Sequence, residues 1–293
     1  MRTTSREFVA LRSDGCRLAA GAANGDLAIW DTTEAHAPQL IVRLHLGRGT
    51  SGAAWNPSAT SLLATASVNG DISVWRSVED RPIQLLGRSP GTVGTPRHLG
   101  WHPDGNLVYC VSAQGSAAIW HPKDPADFVL SHDRVKQPIV AAHASPATVD
   151  VVTRDGWACF WSPRENIWRS TRLQTGGVAG CTASAQLLAV ARTDGDIDIL
   201  DRDLRRRSTL RFGDPPLAMA FAPDSRLLVV VSADGDVVAF DPTGAVRWRG
   251  FHGLNRVPTT LSVAAGLVAL GGSAATPRLL DLRDGSVLSR PAS

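Results

Sequence analysis

The sequence lacks the features that mark most specialised protein classes. Its four cysteines, Cys16, Cys110, Cys159 and Cys181, stand 94, 49 and 22 residues apart. That spacing gives no CxxC pair and no zinc site, so buried free thiols are expected. No uncharged apolar run approaches the roughly 18 residues a membrane span needs, and Met1-Arg2-Thr3-Thr4-Ser5-Arg6-Glu7 holds no apolar signal core. These absences predict a soluble, cytoplasmic chain with no membrane partner. Net charge is only +3 over 293 residues, far from the dense basic stripe of a nucleic-acid binder, and no nucleic-acid partner is expected. Sustained 3.6-residue periodicity is missing as well, which excludes helical solenoids.

What the chain does have is a repeat. A turn-forming pair with Gly second recurs as Asn24-Gly25, Asn69-Gly70, Gln114-Gly115, Asp155-Gly156, Asp194-Gly195 and Asp234-Gly235. Five residues after each Gly stands a large apolar residue: Trp30, Trp75, Trp120, Trp161, Leu200 and Phe240. Leu280 continues the series, with Ala275 where the Gly would be, and the intervals are 45, 45, 41, 39, 40 and 40 residues. Fixed-period self-similarity of this length is the mark of a repeat architecture. The Asx-Gly pairs predict two-residue type I′ hairpins, in which both central residues take positive φ.

Before each pair lies a short apolar run such as Leu227-Leu228-Val229-Val230-Val231, and after it another such as Asp236-Val237-Val238-Ala239-Phe240. Runs apolar on both alternating faces belong to strands covered on both sides. A second turn upstream, for example His102-Pro103-Asp104-Gly105 or Ala222-Pro223-Asp224, joins two further strands. Outer strands are read at Gln39 to Arg43 and Ala245 to Arg249. Seven four-stranded units follow, at about 7–46, 50–90, 95–133, 137–174, 176–212, 216–251 and 258–290. The fold class is therefore all-β, a single seven-bladed β-propeller with four antiparallel strands per blade.

These units resemble the WD40 repeat family, which reads Ser-Pro-Asp-Gly, then Ser-x-Asp-Gly, then a strand ending Trp-Asp. Trp30-Asp31, Ser67-Val68-Asn69-Gly70 before Trp75, and Ser232-Ala233-Asp234-Gly235 before Phe240-Asp241 carry the likeness. The resemblance implies a non-catalytic protein- or peptide-binding scaffold, a sensing or docking module that is monomeric or part of a larger assembly. The family's Gly-His pair is absent from every blade, so the network of that His with the turn Asp, a Ser/Thr and the Trp is incomplete. Lysine is confined to Lys123 and Lys136, and the Arg, Ala and Gly content points to a GC-rich bacterial genome. Many WD40 rings close with an N-terminal strand in the last blade. Here Ser286 to Arg290 can form that outer strand, and closure by face packing is predicted instead of insertion of residues 1–6.

A second likeness runs from Asp234-Gly235-Asp236 through Asp241-Pro242-Thr243-Gly244 to Trp248, echoed by Leu280-Asp281-Leu282-Arg283-Asp284-Gly285. It resembles the repeat of quinoprotein dehydrogenases and implies the alternative function: a propeller enzyme, quinoprotein-like or hydrolytic, with a site in the central channel. No Gly-x-Ser-x-Gly or phosphate loop accompanies it. His98 and His102 have an H-x3-H spacing, but on an extended strand they would stand about 13 Å apart, too far to share a metal. No catalytic residue, metal site or cofactor is assigned.

Partner-binding candidates lie on the face of the Asx-Gly turns and interblade connections, where loops on a rigid scaffold carry function. Trp157 is the sharpest, because it occupies the position that holds Asp26, Asp71, Asp196 or Asp236 elsewhere and is expected to be exposed. With Arg154 it forms a pairing enriched in interface hot spots. Arg48, Arg97, His98, Arg134, Lys136 and Arg256 fall in the interblade loops, the longest of them placed at 88–97 and 250–258. Together they would form a basic rim suited to an acidic segment of a partner.

Overall fold

A computed structural model describes residues 8–22, 24–46, 49–77, 83–124, 126–251, 258–272 and 277–289. Within them the chain forms seven four-stranded sheets, each made of four consecutive antiparallel strands, with no helix. The first strand of each sheet touches the first strand of the next, and Phe8–Leu11 of blade 1 touches Thr260–Ala264 of blade 7. The sheets therefore stand as blades around a closed ring, a seven-bladed β-propeller. Its inner strands line a central channel.

The both-face-apolar runs explain the packing directly. Along Leu228–Val231 the side chains alternate. Leu228 and Val230 join a cluster with Ile197 and Ile199 of blade 5, while Val229 and Val231 join one with Val268 and Leu280 of blade 7. Each blade boundary has such a cluster, so the core is distributed over the joints and not gathered at a centre. Burying one Val or Leu this way stabilises by about 1.5–3 kcal/mol. The seven anchors belong to this core. Trp30, Trp120, Trp161, Leu200, Phe240 and Leu280 are buried, whereas Trp75 is only half-buried.

Three further tryptophans peg blades together. Indole Nε1 of Trp55 donates to the Ala10 carbonyl at 3.1 Å, that of Trp101 to Ala54 at 2.9 Å, and that of Trp248 to Leu282 at 2.7 Å. At the closing joint the Leu11 amide donates to Ser262 Oγ at 3.0 Å, and Leu11, Leu18 and Trp30 pack on Ala264, Ala269 and Leu279. The outer strand of blade 7 is Val287–Ser289, in the place expected for it. Arg290, residues 1–6 and Ala275 lie outside the described residues.

The Asx-Gly turns differ from the expected type. Positive φ falls on Gly25, Gly70, Gly115, Gly156, Gly195 and Gly235 alone, never on the Asn, Gln or Asp before them. In blade 2 the Gly70 amide donates to the Ser67 carbonyl at 3.0 Å and the Ser67 amide to the Asp71 carbonyl at 2.9 Å. Three residues thus form the loop: a type I turn followed by a left-handed Gly, which fits the strand twist through a bulge. The Gly is needed for a second reason. A Cβ at Gly115 would collide with the Val135 carbonyl, and one at Gly195 with that of Gly213. The turn glycines of blades 3 and 5 therefore touch the connection that leads to the next blade, and Val135 N donates to the Gly115 carbonyl at 3.0 Å.

Candidate functional site

On the turn face of blade 4, Thr153 organises the turn. Its hydroxyl donates to Asp155 Oδ1 at 2.6 Å and accepts from the Trp157 amide at 3.0 Å. Trp157 opens the third strand of the blade (Trp157–Ser162) directly opposite Arg172 of the outer strand (Ile167–Arg172). The Arg172 guanidinium stands 5.9 Å from the indole centre, within cation–π range. Trp157 is thus half-buried, packed on the cluster that includes Val135 and Ile139, and not exposed as its position suggested. The ring packs on the core, and the Arg172 guanidinium lies over it.

The connection 131–138 is bound to this turn, since Arg154 N donates to the Pro138 carbonyl at 2.8 Å. Arg134 and Lys136 flank buried Val135 and are exposed, as are Arg154 and Arg172. Among the described residues none of these four cations has a carboxylate within ion-pair distance, whereas Arg12, Arg17, Arg192, Arg207, Arg247 and Arg283 all do. Two carboxylates, Asp133 and Asp155, are also exposed here. The structure therefore gathers Arg134, Lys136, Arg154 and Trp157, and adds Arg172, which sequence reading missed because only strand register brings it opposite Trp157.

Two of the other candidates are placed differently. The connection after the outer strand of blade 2 spans 89–95, so Arg97 and His98 belong to the inner strand Pro96–Trp101. A strand starting at Pro96 alternates its side chains, and His98 turns to the central cavity instead of the rim. Arg48 and Arg256 lie outside the described residues.

That cavity, of about 790 Å3, is a feature the sequence did not disclose. Most of its wall is apolar or small, with Leu99, Phe160, Leu188, Met219 and Leu261 among the lining residues. One side carries a polar cluster. His143 and Asp150 are cross-strand partners in blade 4. The Thr148 hydroxyl donates to Asp150 Oδ1 and lies 2.8 Å from Ser145 Oγ. From blade 5, Arg202 donates through Nε to the Ala185 carbonyl at 3.1 Å and through Nη2 to the Ser184 carbonyl. The same Nη2 lies 3.4 Å from His143 Nε2.

Burial, with Arg202 adding to it, pushes the His143 imidazole down to about 4, so the ring is neutral at physiological pH. Burial raises the Asp150 carboxyl above its ordinary range against the opposing Thr148 bond and Arg202 charge. The Cys181 thiol on the same wall is pushed up to about 12 by burial and stays protonated. A guanidinium has no lone pair, so His143 Nε2 is the acceptor of Arg202 and the ring proton sits on Nδ1. The basic nitrogen is therefore occupied, and Ser145 is bonded to Thr148 and not to a base. The arrangement can hold a ligand, but it does not assemble a nucleophile with a base.

Fold and cavity together define a seven-bladed propeller with a polar-sided channel. No protein-family model matches the chain, and no curated protein matches it. Among the described residues no three His, Cys, Asp or Glu side chains converge as a metal site, and no helix is long and apolar enough to cross a membrane. None of the four cysteines is in a disulfide.

Proposed function

We propose that the protein is a non-catalytic docking platform that takes an acidic segment of a protein partner on the turn face of blades 3 and 4. One observation carries this reading: Arg172 lies over the half-buried indole of Trp157, and Arg134, Lys136 and Arg154, like it in no ion pair among the described residues, are exposed on the adjoining turn and the connection bonded to it. Exposed cations steer an acidic partner, and an indole already packed on one side offers an anchor at low entropic cost. Trp75, held by Thr65 as in the Ser/Thr–Trp arm of the WD40 network, supports a WD40-type ring. The unpaired thiols suit a reducing bacterial cytoplasm.

The test is affinity capture from native lysate with the wild-type chain, Trp157→Ala and Arg134→Glu/Lys136→Glu. A protein retained by the wild type, released by added salt and lost from both variants is the expected result. Equal recovery by all three would move the docking face elsewhere.

A second reading, an enzyme with a channel site, draws on the meeting of His143 and Asp150 at the cavity wall. The capped Nε2 of His143 disfavours it. Stoichiometric calcium in the purified protein would reverse that preference toward a quinoprotein-like enzyme.

A further inference from the structure

We propose that the central cavity is a binding site for a small monocarboxylate with an apolar body, its anion held by Arg202 and His143. The inference is independent of the docking face, which lies on the turn side of the ring.

Arg202 sits in the turn between the third and outer strands of blade 5 (Asp196–Asp201 and Arg206–Arg211), yet its guanidinium reaches the end of the inner strand of blade 4 (Ile139–Ala144). Three neutral acceptors fix it: the Ser184 and Ala185 carbonyls and the His143 ring. No carboxylate lies within ion-pair distance, and Nη1 is without a partner among the described residues. So oriented, the exposed guanidinium at the cavity wall, which also feels the charge of Asp150, is pre-organised for a planar anion.

His143 supplies the second donor. With Nε2 facing Arg202, its Nδ1–H is the remaining polar group of a ring that burial keeps neutral. Asp150 then sets the charge of the ligand. Burial raises its carboxyl against the opposing Thr148 bond and Arg202 charge, so a single negative charge beside it meets less repulsion than a dianion such as a phosphate ester. The rest of the wall selects the body. Leu99, Phe160, Leu188, Met219 and Leu261 offer apolar contact, and about 790 Å3 falls in the range of small-molecule sites.

Isothermal titration of the full chain with octanoate, 1-octanol, octyl phosphate and acetate tests this. Octanoate is expected to bind at least about tenfold more tightly than the alcohol, which brings no charge to Arg202, or the phosphate, whose second charge Asp150 opposes. Acetate, lacking the body, should bind more weakly still. Arg202→Gln should abolish the preference for octanoate over 1-octanol, Arg202→Lys should keep part of it, and Arg172→Gln should leave it intact. Should Arg202→Gln fail to fold, His143→Phe serves in its place and should weaken octanoate without weakening 1-octanol. Equal binding of octanoate and 1-octanol, or octanoate affinity unaltered in Arg202→Gln, would overturn the proposal. A short apolar peptide binding more tightly than octanoate only with its C-terminal carboxylate free would overturn the small-acid assignment in favour of a chain terminus.

Discussion

Thr65 and Trp75 are joined across neighbouring strands of blade 2, the indole Nε1 donating to the threonine hydroxyl at 2.9 Å. Trp120, one blade on, is fully buried and its Nε1 has no hydrogen-bond partner among the described residues. Thr65→Val should therefore cost about 1 kcal/mol, and it should cost almost nothing in a Trp75→Phe background. Trp120→Ala should cost about 3–5 kcal/mol because it empties a packed joint. Urea denaturation of the single and double variants checks both statements, and an additive Thr65/Trp75 pair would refute the first.

The turn glycines separate backbone strain from collision. Gly115 has φ of +88° and abuts the Val135 carbonyl, whereas Gly235 has φ of +89° and no described residue within 4 Å of where a Cβ would stand. Alanine at 235 should cost only the left-handed conformation, about 1–2 kcal/mol. Alanine at 115 should cost clearly more, because the connection at Val135 must move. Equal losses of thermal stability would show that the contact does not matter.

Acid should weaken the fold through His143. The ordinary imidazole value is 6.5 and the folded one is about 4, so between these pH values the unfolded chain takes up a proton that the folded chain refuses. Stability then falls as pH drops from about 6.5 to about 4. Asp150 works in the opposite sense. Its folded value is raised, so its contribution is present below 3.8 and lost as pH rises through the folded value, and Asp150→Asn should stabilise at neutral pH. Denaturation midpoints at pH 7, 5.5 and 4.5 should decline less in His143→Gln than in the wild type. Parallel curves would mean that the ring is not held neutral.

Asp198 is a buried carboxylate in blade 5, bonded to Thr209 Oγ1 at 2.6 Å, with Arg192 at 3.6 Å and Arg206 at 3.8 Å. Removing Arg192 strips most of its compensation, so Arg192→Met should cost about 3–5 kcal/mol. Asp198→Ala in that background should recover part of the loss, since it removes the buried carboxylate left uncompensated. A double variant no more stable than Arg192→Met would exclude this coupling.

The ring was legible in the sequence because a repeat of turns and anchors is a local signal, and the alternation of Leu228 to Val231 encodes both blade contacts in four residues. The turn type differs from the expected one because an Asx-Gly pair suits two loops, and the choice depends on the residue two positions before it. Ser67, Ser112, Thr153 and Ser232 close the three-residue form by accepting from the amide four residues on. Arg97 and His98 fall in an interblade loop on the sequence reading, whereas Pro96 opens the inner strand that holds them, a place a proline can take. The His143–Asp150 pairing could have been found from the Ser145-Pro146 hairpin, which fixes the register. Arg202 could not, since it is 59 residues from His143 and meets it only when two blades are packed.

The bond between Val135 and Gly115 also bears on how fast a partner could dock. Arg134 and Lys136 sit on a segment whose backbone is already tethered to the ring at Val135 and Pro138. Little rearrangement should precede contact there, so the association rate constant should drop steeply with ionic strength, whereas the lifetime of the complex should depend mainly on the indole of Trp157.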